Sequence, residues 1–131
     1  LREMRKETGE DDVRSIRETI TGISRHKMQD ALDFIMQNYE KSIDMAEVSN
    51  HVSMNYSMFS STFKEYTGEN FSSFLKKLRI EKSKKLLKNT DLNIREISNK
   101  VGFEDARRFA KVFKEVTGMT PRAFREKNGT E

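Results

Sequence analysis

The sequence FKEYTG at Phe63–Gly68 returns fifty residues later as FKEVTG at Phe113–Gly118. The match continues at the same offset, since Phe74 corresponds to Phe124. Two copies are too few for a solenoid, which needs about three repeats to bury a continuous core. The sequence therefore predicts one structural unit that occurs twice.

Each unit reads as a short helix, a tight turn and a longer helix. Asp44 and Asn93 are both followed three residues later by an acid, which is the spacing of a helix N-cap. Gly68 and Gly118 stand where the longer helices stop, because glycine adopts the left-handed cap at no steric cost. This pattern predicts two helix-turn-helix units, whose second helices can enter a DNA major groove.

The phenylalanines inside each longer helix indicate the core. Phe59 with Phe63, and Phe109 with Phe113, lie at four-residue spacing and are expected to be buried. Pro121, the only proline, suits the first turn of a final short helix.

Every element has a helical pattern, so we predict an all-α fold of about seven helices. The predicted division of the chain is as follows: residues 1–27 form a charged linker or N-terminal helix from an upstream domain, 28–69 the first helix-turn-helix subdomain, 70–90 a linker helix, and 91–131 the second subdomain. The linker helix should make apolar contacts on more than one side, since Ile80 and Leu87 flank its main apolar stripe.

The first two segments carry their own patterns. From Met28 onward, apolar residues recur at helical spacing and predict core packing rather than a cofactor-binding methionine stripe: Met28, Ala31, Leu32, Ile35, Met36 and Tyr39. Residues 1–23 are highly charged, and we expect Gly9 and Gly22 to break them. A thin apolar stripe is consistent with a coiled linker that transmits a signal: Met4, Val13, Ile16, Ile20 and Ile23.

Composition limits the function classes. The net charge is +4, and the stretch Leu75–Lys88 holds seven basic residues and one acid. This cluster fits either a polyanionic partner or a solvated helix face. The absence of cysteine excludes disulfides, thiolate zinc sites and cysteine nucleophiles, and is consistent with a cytoplasmic protein. No apolar run reaches the ~20 residues of a membrane span, and no signal peptide is visible.

No enzymatic site is apparent. His26 and His51, the only histidines, lie in different segments without ligand-like spacing to another histidine. We therefore expect no metal, no cofactor and no enzymatic activity.

Residues ~30–127 resemble the C-terminal DNA-binding domain of AraC/XylS-type bacterial transcription regulators. The resemblance is strongest in LRIEKSKKLLKNTDLNIREISNKVGFEDARRFAKVFKEVTGMTPRAFR, from Leu78 to Arg125. The first half, YEKSIDMAEVSNHVSMNYSMFSSTFK from Tyr39 to Lys64, is most similar to the response-regulator branch of YesN type. Proteins of that branch carry a receiver domain upstream.

The resemblance implies a domain that places two recognition helices in successive major grooves of promoter DNA. It further implies a transcription activator that contacts RNA polymerase, with an upstream regulatory domain that can dimerise. The geometry agrees, because a linker helix of about 18 residues spans roughly 27 Å. Adding helix widths separates the units by about one turn of DNA, roughly 34 Å.

The base-reading positions of the family map onto Ser57, Ser60 and Ser61 in the first unit, where Tyr56 is a further candidate. In the second unit they map onto Arg107, Arg108 and Lys111. Predicted phosphate contacts are Lys64, Arg79, Lys82, Lys114 and Arg122. Alternatives remain for these residues: the arginines could bind only phosphate, the serines could be bystanders, and the lysines could be merely solvated. A helical module that docks on a partner regulator is the alternative function.

One residue departs from the family pattern. Ser53 occupies a turn position where the family usually has glycine. If the position requires a positive φ, serine is strained there.

Overall fold

The computed structural model describes residues 2–128, with side chains from Asp11 onward, and all regular secondary structure in this part of the chain is helical. Its seven helices are α1 Arg2–Asn38, α2 Met45–His51, α3 Tyr56–Thr67, α4 Phe71–Asn89, α5 Ile94–Lys100, α6 Ala106–Thr117 and α7 Pro121–Asn128. The all-α prediction is thereby confirmed. Residue 1, residues 129–131 and the side chain of Met4, all part of the sequence predictions, lie outside the described part.

Helix α1 runs without interruption through both glycines of the charged segment. The prediction that Gly9 and Gly22 break this segment was wrong. Glycine in a helix interior costs about 1 kcal/mol relative to alanine, which weakens a helix without ending it. A Cβ atom placed on Gly22 would meet open space, so no packing demand accounts for the glycine.

The second half of α1 packs against the first helix-turn-helix unit. Met28, Ala31 and Ile35 are fully buried, as their spacing predicted. Met36 is 45% exposed, so its assignment to the core face was wrong. The reason is geometric, because Met36 lies about 100° around the helix from Ile35.

The helices enclose two hydrophobic cores, one for each unit. Helix α4 joins them, since Phe71 and Leu75 belong to the first core and Ile80 and Leu87 to the second. This confirms that the linker helix makes apolar contacts on more than one side. The four phenylalanines predicted to be core are all fully buried: Phe59, Phe63, Phe109 and Phe113.

Local capping chemistry follows the sequence predictions. Asp44 and Asn93 each accept a hydrogen bond at 2.8 Å from the backbone N–H three residues on, which starts α2 and α5. Gly68 and Gly118 both have φ 84° and end α3 and α6 in the left-handed conformation. Pro121 begins α7, as expected.

The turns between the paired helices also correspond. Ser53 has φ 57° in the first turn, and Gly102 has φ 103° in the second. Each is followed by a backbone N–H that bonds back to a serine carbonyl five residues earlier, at 2.9 and 3.0 Å respectively. The positive φ confirms that Ser53 stands at a position which favours glycine.

A junction around Arg79 connects the two units. Its Nε donates to the carbonyl oxygen of Tyr39 at 2.8 Å, and its Nη2 to that of Lys41 at 2.9 Å. The guanidinium also lies 5.9 Å from the ring centroid of Phe103. A Cβ on Gly102 would come within 2.8 Å of the Tyr39 oxygen, so the second turn lies directly against the end of α1.

Candidate nucleic-acid interface

Helix α6 presents a basic face to solvent. Asp105 caps its start by accepting a hydrogen bond from the Arg107 N–H at 2.7 Å. The buried side of α6 is anchored in the second core by Phe109, Val112 and Phe113. Its exposed side carries the three residues predicted to read bases, Arg107, Arg108 and Lys111. The second core therefore holds α6 so that three cations lie on its exposed side.

Helix α3 presents a neutral polar face instead. Asn55 caps it by accepting from the Met58 N–H at 2.8 Å. Tyr56 is 58% exposed, Ser57 is exposed, and Ser60 is half-buried. The hydroxyl of Ser61 is exposed but donates to the Met58 carbonyl at 3.2 Å. With that donor engaged inside the helix, the Ser61 oxygen is left to act mainly as an acceptor.

A cleft of about 750 Å³ lies between the two units. It is bordered by Tyr56 and Ser60 from the first unit and by Arg108 from the second, while Phe71 and Leu75 of α4 contribute apolar surface. The structure thus brings these three predicted site residues together with a fourth, Arg79, around one concavity. The other predicted base readers, Ser57, Ser61, Arg107 and Lys111, do not line it.

Sequence reasoning missed Lys76, which also lines this cleft. Lys76 is half-buried on α4, three residues before Arg79. The signal was present in the basic cluster Leu75–Lys88, but the sequence alone does not show which member of that cluster faces the cleft.

The predicted phosphate contacts divide into two groups. Lys64 and Lys114 are exposed in the last turns of α3 and α6, and Arg122 is exposed at the start of α7. Lys82 is half-buried on α4, with its ammonium 5.7 Å from the ring centroid of Tyr39. All four cations remain candidates for binding phosphate.

Arg79 is different from those four cations. Its guanidinium is engaged by two backbone carbonyls at the junction, and burial lowers its pKa while the charge of Glu104 opposes that shift. We therefore assign Arg79 to the junction, while its predicted phosphate contact stays a prediction, because these two bonds engage only two of its five N–H groups.

Two further basic residues of the linker helix are paired with acids. Lys77 forms an ion pair with Glu69, and Lys84 with Glu81 at 2.6 Å. These pairs reduce the positive charge that the basic cluster offers to a polyanion.

The two histidines border the same cleft although they are distant in sequence. His26 and His51 line the same shallow cleft between α1 and α2, and the His51 ring lies 4.3 Å from that of Phe34. Among the described residues, no group of three histidine, aspartate or glutamate side chains is arranged to hold a metal ion. Nor does any helix of residues 2–128 have the length and apolar character needed to cross a membrane.

Comparison with known proteins agrees with this architecture. A helix-turn-helix domain family model matches residues 48–127. The regulatory protein PocR of Salmonella typhimurium is 31% identical over 100 residues, which cover 76% of this chain and 33% of PocR. The transcriptional activator RhaR of Cronobacter sakazakii is 34% identical over 104 residues, covering 76% of this chain and 37% of RhaR.

A solved structure extends the likeness to three dimensions. The C-terminal domain of the two-component response regulator YesN from Fusobacterium nucleatum superposes with a TM-score of 0.71 and 31% identity, covering 74% of this chain and 95% of that domain. The chain spans about a third of the length of PocR and RhaR. The chain belongs to the AraC-type helix-turn-helix family of DNA-binding domains found in bacterial transcription regulators.

Proposed function

We propose that this domain binds double-stranded promoter DNA by placing α3 and α6 in successive major grooves. The observation that carries the proposal is the exposed triad Arg107, Arg108 and Lys111 on a capped helix that the second core holds rigidly. Arginine can form two parallel hydrogen bonds to guanine O6 and N7, a pairing worth about 1–3 kcal/mol of discrimination between bases.

The two units contribute unequally to base recognition in this proposal. Helix α6 supplies the direct readout through its three cations. Helix α3 offers only short serines, whose contacts are weak or mediated by water, together with the exposed ring of Tyr56. The first unit therefore acts chiefly as an anchor on the phosphate backbone.

Phosphate binding in this proposal involves cations from four helices, in addition to the residues that read bases. Lys64, Lys114 and Arg122 lie at helix ends, and Lys82 lies on the linker helix. Lys76 joins them, because the cleft it lines lies between the two recognition helices, where a DNA backbone would pass. Arg108 faces the same cleft and can serve either a phosphate or a base.

In the complete protein, we propose that DNA binding serves transcriptional activation in the cytosol, through contact with RNA polymerase. The similarity to RhaR, named as an activator, and to the YesN response regulator supports this role. An upstream receiver domain that controls dimerisation is the corresponding proposal for regulation.

The test is selection of binding sites from random DNA, followed by titration of the selected site at several salt concentrations. With about six phosphate contacts, the slope of log affinity against log salt should be roughly −5. A protein-docking module would give no enriched sequence and a nearly flat salt dependence. Either of those two results would contradict the proposal.

A further inference from the structure

The first half of α1 exposes four β-branched apolar side chains. Val13, Ile16, Ile20 and Ile23 are 51%, 58%, 57% and 52% exposed. Their spacing of three, four and three residues is that of positions a and d in a coiled-coil heptad. We refer to these four side chains as the α1 seam. Isolated exposed isoleucines need no explanation, but four at heptad spacing on one helix form a continuous apolar stripe.

The α1 seam does not coincide with the residues of α1 that are buried in the first core. In the heptad numbering that places Val13 at a, the buried residues Met28, Ala31 and Ile35 fall at b, e and b. The seam is therefore rotated around α1 from the buried residues, and its later members Ile20 and Ile23 border a groove with Ser53, Met54 and Met58 of the first unit. It ends at Lys27, the next a position, where the ammonium donates to the Ser53 carbonyl at 3.0 Å.

We propose that the α1 seam pairs with the same seam of a second copy, as a parallel two-stranded coiled coil. Charge complementarity supports this occupant and this orientation. Asp12 occupies position g and Arg17 the following e position. In a parallel coiled coil, position g of one helix faces position e of the next heptad on the other helix. Asp12 of each copy therefore faces Arg17 of the other copy, which gives two such pairs by symmetry.

The antiparallel alternative is disfavoured by the same charges. Stacking the seam antiparallel places Val13 opposite the second copy's Ile23, and this register brings Arg17 opposite Arg17. Like charges at such flanking positions oppose pairing. Because exposed ion pairs contribute little energy, these charges select the orientation, while the burial of Val13, Ile16, Ile20 and Ile23 provides the affinity.

The pairing is short and therefore weak on its own. Two heptads fall below the three to four over which a stable coiled coil is usually sustained. The pairing would affect DNA binding because it raises the effective concentration of one domain near the DNA once its paired domain has bound. Two domains joined at α1 bind a pair of adjacent DNA sites more tightly than one domain binds one site, with no new contact to DNA.

The first experiment measures self-association of the whole 131-residue chain without DNA, by sedimentation equilibrium. Ile20→Asp should weaken association at least about tenfold, because it places a charge in the buried seam. Thr21→Asp is the matched control, since it adds the same side chain at the adjacent exposed position and should change association by less than about threefold. Circular dichroism checks that both variants keep their helix content.

The second experiment establishes orientation by cross-linking, which is clean because the chain has no cysteine. Val13→Cys should oxidise readily to a disulfide-linked dimer, since a parallel pair puts both sulfurs on the axis. Arg14→Cys, which points away from the seam, should cross-link slowly. An antiparallel pair separates the two Val13 positions by about ten residues, roughly 15 Å, beyond the reach of a disulfide.

Three results would overturn the proposal. They are a monomer at about 1 mM protein, an assembly of three copies, and equal cross-linking of the Val13 and Arg14 variants. The trimer is a real competitor, because isoleucine at both a and d favours higher assemblies. Each outcome is independent of DNA binding, which the site-selection experiment tests on its own.

Discussion

Arg79 donates from Nε to the carbonyl oxygen of Tyr39, 2.8 Å away, and this bond joins the linker helix to the end of α1. The second bond, from Nη2 to the Lys41 carbonyl, makes the contact bidentate. The loop leading into the first unit is thereby fastened to the helix that enters the second. Because the second turn packs on the same carbonyl through Gly102, we expect the junction to influence how the two recognition helices are spaced.

Replacing Arg79 with lysine should loosen this junction. Lysine keeps a charge but cannot form the fork of two hydrogen bonds, so we expect a loss of about 1–3 kcal/mol in unfolding free energy. The spacing of the units should also become less strict. Wild-type protein should lose affinity sharply when one base pair is inserted between the two half-sites, and the variant should lose less.

The matched control is Arg95→Lys, the same change at an exposed position of α5. Chemical denaturation measures stability, and fluorescence anisotropy with normal and lengthened sites measures spacing. An equal penalty for the inserted base pair in wild type and Arg79→Lys would show that the Arg79 contacts do not set the spacing.

Gly102→Ala should destabilise the same junction by a different route. The added Cβ would lie 2.8 Å from the Tyr39 carbonyl oxygen and 2.9 Å from the Arg79 Nε, at a backbone φ of 103°. Overpacking typically costs about 1–3 kcal/mol, and the positive φ adds strain, so the loss should be at the upper end of that range.

Gly22→Ala provides the contrast, since its Cβ meets nothing within 4 Å and Gly22 lies inside α1. That variant should be stabilised by up to about 1 kcal/mol through helix propensity. Thermal unfolding of the wild-type protein and of both variants measures the two changes in stability. Similar changes in stability for Gly102→Ala and Gly22→Ala would mean that the close approach of Gly102 to the Tyr39 carbonyl does not require glycine.

How much of the fold and of the candidate site could be predicted from the sequence depends on how far apart along the chain the interacting residues lie. The caps at Asp44 and Asn93, and the stops at Gly68 and Gly118, were predictable because their chemistry is confined to four or five residues. The core phenylalanines followed from helical spacing for the same reason.

The junction contacts of Arg79 and the cleft position of Lys76 were not predicted, although both residues lie in a basic cluster that the sequence shows plainly. Whether a basic residue on α4 faces carbonyls, a cleft or solvent depends on how α4 is rotated against α1 and the second turn. Those contacts join residues about 40 positions apart, and no local pattern encodes them.

Ser53→Gly should raise stability. Ser53 has φ 57°, and a residue with a side chain pays about 1–2 kcal/mol in the left-handed region. Glycine removes this cost but loses more backbone entropy on folding, so a net gain of up to about 1 kcal/mol is expected. The backbone carbonyl that accepts from Lys27 is retained in the variant. Clear destabilisation in urea denaturation would mean that the serine side chain contributes more than its strain costs.

Two lysines should separate base recognition from phosphate binding. Lys111→Ala should relax the preference at one base pair, because Lys111 lies on the exposed face of α6. Lys82→Ala should weaken binding to all sequences alike and reduce the salt slope by about 0.9, the share of one phosphate contact. Affinities for a panel of single-base variants, each measured at three salt concentrations, give both quantities. A sequence-selective loss in Lys82→Ala would contradict the assignment.

The two half-sites should contribute unequally to specificity. Arg107 and Lys111 of α6 stand at positions where α3 has Ser57 and Ser61, and only the cations can bond guanine strongly. Scrambling the half-site bound by α6 should therefore cost at least about tenfold more affinity than scrambling the half-site bound by α3, since each mismatched base pair typically costs about 1–3 kcal/mol.

The half-site that each helix binds is determined first, by attaching a DNA-cleaving probe to α7 and mapping where the DNA is cut. Exchanging Ser57 for arginine should then raise the penalty for scrambling the α3 half-site towards that of the other. Equal penalties in the wild-type protein would mean that α3 reads its half-site through Tyr56 or through DNA shape. Helix α3 would then contribute to specificity as much as α6 does, despite its serines.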